Sequence, residues 1–233
     1  QSHVCVIGVG GVGSWAAEAL ARSGIGEITL IDLDNVAESN VNRQIHAVDG
    51  EFGKAKITAM RERIFLINPQ CKVNEIEDFV TIENIPEMVD QKYDFIIDCI
   101  DNFRTKAALI AYCRSNKYKL ITIGGAGGQV DPTKVKISDL SKTKHDGLLS
   151  QVRKLLRQEY GFSRNLKRRF YIACVYSEEQ LVYPTSDGEI CAQKPDNANA
   201  SGLNCEGGFG SAMTVTAAFG MAAVSYVLKK LST

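Results

Sequence analysis

The chain has 233 residues, 45% of them hydrophobic, enough to bury a full core as one α/β domain, and no linker-like composition divides it. Its 27 Lys and Arg balance 27 Asp and Glu to a formal net charge of zero, so any affinity for a polyanion has to come from local clustering. Seven cysteines, odd in number and scattered through apolar runs, fit reduced thiols, and the lack of a CxxC pair argues against a four-cysteine zinc site, so no zinc is expected.

The chain opens almost directly on an apolar run with no secretory leader, which leads to the expectation of a cytoplasmic protein with a further segment before Gln1. Val4 to Asp34 reads as strand, glycine turn, helix, strand: VCVIGV, then Gly8, Gly10, Gly11 and Gly13, then ITLIDLD with Asp32 and Asp34 at its end. Such glycines let bare backbone N–H groups approach a phosphate while the following helix aims its positive end at the same anion. Asp32 stands where a carboxylate can accept ribose hydroxyls. Glycine spacing alone also fits a nicotinamide enzyme. The segment SNVNRQ shifts the weighting, because Ser39, Asn40, Arg43 and Gln44 follow the carboxylates and Lys56 opens the next helix. A triphosphate needs several cations there and a dinucleotide few.

Ile57, Met60, Ile64 and Ile67 recur at helical spacing and Pro69 closes that helix. CKVNEI (71–76) reads as a third strand, 86–91 as a short helix, and YDFIIDCID (93–101) as a buried fourth strand that delivers Asp98 and Asp101 to the carboxyl edge of the sheet. Ligands bind outside the carboxyl ends of parallel strands, so Gly11, Asp32, Asn40, Arg43, Lys56 and Asp101 assemble there. Arg43 and Lys56 are alternatively solvated surface cations. Asp101 either caps the helix at 104–116 or helps hold magnesium. LITIGG (120–125) reads as a strand, GGAGGQ (124–129) as a loop that a ligand can approach closely, and Pro132 as a turn into VKI.

The second half is basic. From Lys134 to Arg169 eleven Lys or Arg face three acids, about eight positive charges net. Over 145–160, Leu148, Leu149, Val152, Leu155 and Leu156 form one stripe with Arg153, Lys154 and Arg157 off it, an amphipathic helix with a basic exposed side. FYIACVYS (170–177) and LVYP (181–184) read as strands. The run 209–228 carries no charge and is rich in Ala, Gly, Ser and Thr, which favours a core or dimer-interface helix over a membrane span. Cys205, in a polar glycine-rich stretch, is the thiol expected to be accessible, with inertness the simpler reading because no base stands beside it.

GVGGVG, LIDLD, SNVNRQ, FGKAK and DCIDN, in this order and spacing, resemble the adenylating domain shared by ubiquitin-activating (E1-like) enzymes and the bacterial activators of sulfur-carrier proteins. The resemblance implies a Rossmann-like α/β fold with a mainly parallel first half and a mixed second half: one domain whose residues 1–130 bind ATP and whose residues 131–233 serve substrate binding and dimerisation. It further implies ATP on Gly8, Gly10, Gly11, Gly13, Asp32, Asp34, Ser39, Asn40, Arg43, Gln44, Lys56, Asp101 and Asn102, with catalytic roles for Arg43, Lys56 and Asp101 and magnesium on Asp101. ITIGGAGGQVDPTKVKISDL, CVYSEEQLVYP and GGFGSAMTVTAAFG are similar to the branch of this superfamily that cyclises threonylcarbamoyladenosine at adenosine 37 of tRNA. That branch implies a tRNA substrate and no DNA, a homodimer, and an association with a sulfur-transfer (cysteine desulfurase) system. The tRNA-binding candidates are Lys142, Lys144, Arg153, Lys154, Arg157, Lys167, Arg168 and Arg169. Activation of a ubiquitin-like carrier protein, a nicotinamide oxidoreductase and a non-catalytic nucleotide-dependent scaffold are the alternatives.

Overall fold

A computed structural model describes residues 2–89, 93–181, 183–184, 190–191 and 210–233. The opening unit forms as its sequence requires: β1 (His3–Ile7), α1 (Gly13–Arg22) and β2 (Glu27–Ile31), with the strand interiors fully buried. α2 (Lys56–Ile67) leads to β3 (Lys72–Ile76), and the short α3 (Ile85–Met88) to β4 (Phe95–Asp98). α4 (Phe103–Ser115) and β5 (Leu120–Ile123) follow, then β6 (Val135–Asp139), α5 (Gly147–Glu159) and β7 (Ala173–Ser177). A two-stranded ribbon of β8 (Tyr183–Pro184) and β9 (Ile190–Cys191) stands apart from the main sheet, and α6 (Met213–Leu231) ends the chain.

The main sheet runs β3-β2-β1-β4-β5-β7-β6, parallel except for the antiparallel β6–β7 pair. The order reverses between β1 and β4, so a crevice opens past Ile7 and Asp98, where two neighbouring connections leave on opposite faces. One face is covered by α1, α2 and α6 around Leu20, Met60, Ile64 and Phe219, the other by α4 and α5 around Leu109, Ile110, Val152 and Leu156. α6 lies close on α1, because a Cβ at Gly220 would sit 2.9 Å from the Ala16 nitrogen and the Val12 oxygen. Its uncharged sequence therefore serves core packing on one side, while Met213 and Met221 are exposed on the other. No described helix is long and apolar enough to cross a membrane.

The structure moves several sequence-based boundaries. The fourth strand stops at Asp98, whose Oδ1 accepts the Ile100 N–H and turns the chain out of the sheet. β7 starts at Ala173 and not at Phe170, because the Asp139 carboxylate takes the N–H groups of Phe170 and Tyr171 and Tyr171 has a left-handed φ of 62°, incompatible with a strand. α5 starts at Gly147, after His145 with a left-handed φ of 53° and the cap residue Asp146. α6 begins four residues after Phe209 and continues over Lys229 and Lys230, cations suited to the negative end of a helix. Phe209 and Cys205 lie outside the described residues.

Candidate nucleotide site

The crevice is built outward from the first turn. Gly8 has φ +86°, and a Cβ there would press 3.1 Å against the Cys99 carbonyl; one at Gly13 would lie 1.8 Å from the Gly8 oxygen. Only bare backbone makes this turn, and α1 starts at once behind it. Asp32, 8% exposed, fixes the turn from below, accepting the Val9 N–H at 2.6 Å and the Asp34 N–H at 2.9 Å. Burial holds its carboxyl above the ordinary value against the pull of Lys56.

Asp34 is the carboxylate that opens to solvent: its side chain is 52% exposed, and its Oδ2 lies 2.7 Å from the Nζ of the buried Lys56. Asn40 and Gln44 are buried in the wall, the Asn40 Oδ1 accepting the Ala37 N–H and the Gln44 Oε1 having no hydrogen-bond partner among the described residues. The Arg43 stem crosses the turn, where a Cβ at Gly11 would come within 3.3 Å of it. Its guanidinium donates to the Ser39 carbonyl at 2.8 Å and the Asn42 Oδ1 at 3.0 Å, and no carboxylate neutralises it among the described residues. Its backbone carbonyl accepts the Trp15 Nε1–H at 2.9 Å, which ties the loop to α1.

Across the crevice Asn102, not Asp101, caps α4, accepting the N–H groups of Arg104 and Thr105 at 3.0 and 3.2 Å. Asp101 is exposed and bonded to nothing among the described residues, so the cap explanation for it falls away. Together with Gly124–Gly127, Asp146, Phe79, Ser211 and Thr216 these groups line a cavity of about 1020 Å³, large enough for a nucleoside triphosphate and part of a second substrate. All the sequence-derived nucleotide residues line it.

The sequence profile of the ThiF family matches residues 1–233. The chain belongs to the ThiF family. It is 52% identical to the tRNA threonylcarbamoyladenosine dehydratase of Escherichia coli over 99% of its own length and 86% of that protein's, and 53% identical over the same shares to the dehydratase of Haemophilus influenzae. The crystal structure of the Escherichia coli dehydratase in complex with ATP superimposes with a TM-score of 0.87 at 49% identity, covering all of this chain and 86% of that one.

The ThiF-family sheet explains two residues that the sequence places less well. Asp98 turns away from the crevice into the core, where it and Lys106 are both 0% exposed and 2.8 Å apart. Lys106 also donates to the Asp98 carbonyl and to Thr122, whose hydroxyl donates to Asp98 at 2.6 Å. This closed network fixes the end of β4 and so the base of the crevice. Asp146, absent from the sequence-derived site, joins two elements: its Oδ2 accepts the Gly125 N–H at 2.9 Å and its Oδ1 the Leu149 N–H at 2.8 Å. Burial raises its pKa against those two hydrogen bonds. The signal for it was an N-cap pattern, Asp three residues before the first buried leucine of an amphipathic run. Phe79 had no comparable sequence signal. Cys99 sits at the cavity floor with its thiol pKa pushed far up by burial, which leaves it protonated and a poor nucleophile. Among the described residues no cluster of three His, Cys, Asp or Glu is placed to hold a metal.

The basic candidates divide. Lys142, Lys144, Lys154, Lys167, Arg168 and Arg169 are exposed, but Arg153 and Arg157 are not the solvated side of α5 that its pattern suggested. Arg153 reaches the Thr143 hydroxyl and Arg157 lies over the Phe170 ring, 5.0 Å from its centroid, with its Nε directed at the Ser163 carbonyl. Arg153 is tied back to Thr143 and Arg157 lies along a core ring, so both are half-buried and less free than the other six cations.

Proposed function

We propose that this chain is an ATP-dependent dehydratase that adenylates the carboxylate of threonylcarbamoyladenosine at position 37 of tRNA and closes it into a ring. The observation that supports this most is the similarity to dehydratases along 99% of the chain, joined to a crevice whose Arg43 and Lys56 face the phosphate turn. A carboxylate resists attack because a nucleophile must add charge to an anion. Here its oxygen attacks the α-phosphorus of ATP and pyrophosphate departs, giving an acyl adenylate. A nitrogen or oxygen of the same side chain then attacks the acyl carbon, AMP leaves with the former carboxylate oxygen, and one proton is released. The tRNA loses the elements of water, and ATP becomes AMP and pyrophosphate.

Arg43 and Lys56 do the electrostatic work, meeting charge that builds on the phosphates in a site already organised to receive it. Lys56 leaves Asp34 for the stronger anion as the triphosphate enters. Asp101, one unengaged carboxylate at the crevice mouth, fits a magnesium ion that is otherwise held by phosphate oxygens, and such an ion would neutralise the departing pyrophosphate. The uncharged outer side of α6, with Met213 and Met221, fits a homodimer contact, and the thiols fit a cytoplasmic enzyme.

Nucleoside mass spectrometry on tRNA carrying threonylcarbamoyladenosine, incubated with the protein and MgATP, tests this reading. Conversion to a product lighter by one water supports it. Pyrophosphate exchange that needs a carrier protein and leaves the tRNA unchanged would replace it with carrier activation, and tighter binding of NAD than of MgATP would remove adenylation altogether.

A further inference from the structure

A second basic hollow lies on the far side of the molecule from the crevice. α4 starts at the crevice beside Asn102 and carries Arg114 near its other end, so its rise of about 1.5 Å per residue puts the two sites roughly 18 Å apart. Among the described residues the hollow is lined by Arg114, Ser163, Lys167, Arg168, Arg169 and Tyr171, four cations and no carboxylate. An ordinary solvated charge run needs no scaffold, but this one has its own. The Ser163 hydroxyl accepts the Asn165 N–H, the Asn165 side chain accepts the Lys167 N–H at 2.9 Å, and Lys142 donates to the Leu166 carbonyl at 3.0 Å. The Arg114 guanidinium is held 4.3 Å from the centroid of the Phe162 ring.

Tyr171 is the unusual member. The residue is 82% exposed, yet its backbone is left-handed, with φ 62°, a conformation that bulky residues avoid. The Asp139 carboxylate enforces it, one oxygen accepting the Phe170 N–H at 2.9 Å and the other the Tyr171 N–H at 2.6 Å. Backbone strain of this kind persists where surrounding structure imposes it, and here its result is a flat aromatic face displayed among four cations. Cations alone would suffice for an acidic peptide. An aromatic plane beside phosphate-binding groups matches a nucleotide, because bases that leave their stack settle on aromatic rings while arginines hold the backbone.

We propose that this hollow is a second RNA-contact site, in which Tyr171 stacks on an unpaired base of the tRNA and Arg114, Lys167, Arg168 and Arg169 hold the adjoining phosphates. It rests on the reading of tRNA as substrate. The hollow acts in binding and takes no part in the chemistry at the crevice.

The test uses the whole chain with tRNA carrying threonylcarbamoyladenosine, measuring affinity at several salt concentrations and turnover across tRNA concentrations. Tyr171→Asn keeps a residue that tolerates left-handed backbone and removes the ring; it should keep the parent's thermal midpoint and bind tRNA about tenfold more weakly. Tyr171→Phe should bind within about twofold of the parent, since stacking uses the ring face. Arg168→Gln with Arg169→Gln should flatten the slope of log affinity against log salt by about 1.5, the release of two phosphate contacts. In Tyr171→Asn and the double variant KM for tRNA rises while kcat at saturating tRNA and ATP affinity hold; in Tyr171→Phe all three stay near the parent's. Parent-like affinity and salt slope in both Tyr171→Asn and the double variant would overturn the inference and leave the tRNA reading intact. So would a fall in kcat with KM unchanged, or competition by polyglutamate as strong as that of a single-stranded RNA. If the parent itself neither binds nor converts tRNA, the functional reading fails first.

Discussion

Lys56 Nζ and Asp34 Oδ2 lie 2.7 Å apart at the mouth of the crevice, the lysine 8% and the aspartate 52% exposed in their side chains. The asymmetry has a consequence. Asp34 is wet enough to lose its partner at little cost, whereas Lys56 is desolvated and held ready for a stronger anion. Lys56→Ala should therefore change stability by no more than about 1 kcal/mol, the range of half-exposed ion pairs. Pyrophosphate exchange should fall by roughly 100-fold or more, the scale for removing one donor that faces transition-state charge. Urea unfolding and exchange rates on the same variant check it, and near-parental exchange with normal ATP binding would exclude a phosphate role.

Asp101 and Asn102 are neighbours with separable jobs. Asn102→Ala removes the cap of α4 and should cost about 1 kcal/mol of stability. Asp101→Asn touches no hydrogen bond among the described residues and should leave the thermal midpoint where it is. Its adenylation should instead require more magnesium. A magnesium titration of rate separates the two, and an unchanged metal dependence in Asp101→Asn would sink the metal assignment.

Asp146 joins the glycine loop to α5, so substitutions at its two ends should agree. A Cβ at Gly124 would lie 2.0 Å from the Asp146 Oδ2 and must displace it. Gly124→Ala and Asp146→Ala should both lower kcat more than they raise KM for ATP, because the loop they position lies on the side of the cavity away from the nucleotide carboxylates. Asp146→Asn keeps one acceptor oxygen, enough for the Leu149 N–H cap but not for the Gly125 N–H as well, and should recover part of the stability lost in Asp146→Ala. If it recovers none, the carboxylate is doing something other than accepting those two hydrogen bonds.

The nucleotide half was legible because its chemistry is local. A glycine turn, a carboxylate ending a strand and a lysine at the first turn of a helix are each fixed by neighbours in sequence, and Gly8, Asp32 and Lys56 all reach the crevice. The topology up to β5 follows from the same alternation of buried strands and helices. What escaped depends on partners far along the chain. Asp98 was readable as a residue of the sheet edge, but its inward turn is set by Lys106 and Thr122. Arg153 and Arg157 fall off the leucine stripe of α5, yet Thr143 and Phe170 cover that side of the helix. Tyr171 sits in a run with every mark of a strand, and Asp139, at the end of the neighbouring antiparallel strand β6, breaks it.

His46 supplies a pH dependence with a definite sign. The ring is 2% exposed, neither nitrogen has a hydrogen-bond partner among the described residues, and burial first, then Lys56 and Arg63, lowers its pKa from 6.5 to about 4. The folded chain keeps His46 neutral while the unfolded chain takes up a proton below pH 6.5, so acid favours unfolding. The stability tied to this residue is fully present above 6.5 and is lost as pH falls toward 4, about 2 kcal/mol of it by pH 5. Asp32 and Asp146 work the other way, since burial raises their pKa values and protonation relieves it. The two signs are separated by comparing parent and His46→Leu. The variant retains the aspartates, so its stability relative to the parent should improve by about 2 kcal/mol between pH 7 and pH 5. Urea unfolding at both pH values measures it, and equal pH slopes in parent and variant would show that folding does not lower the His46 pKa.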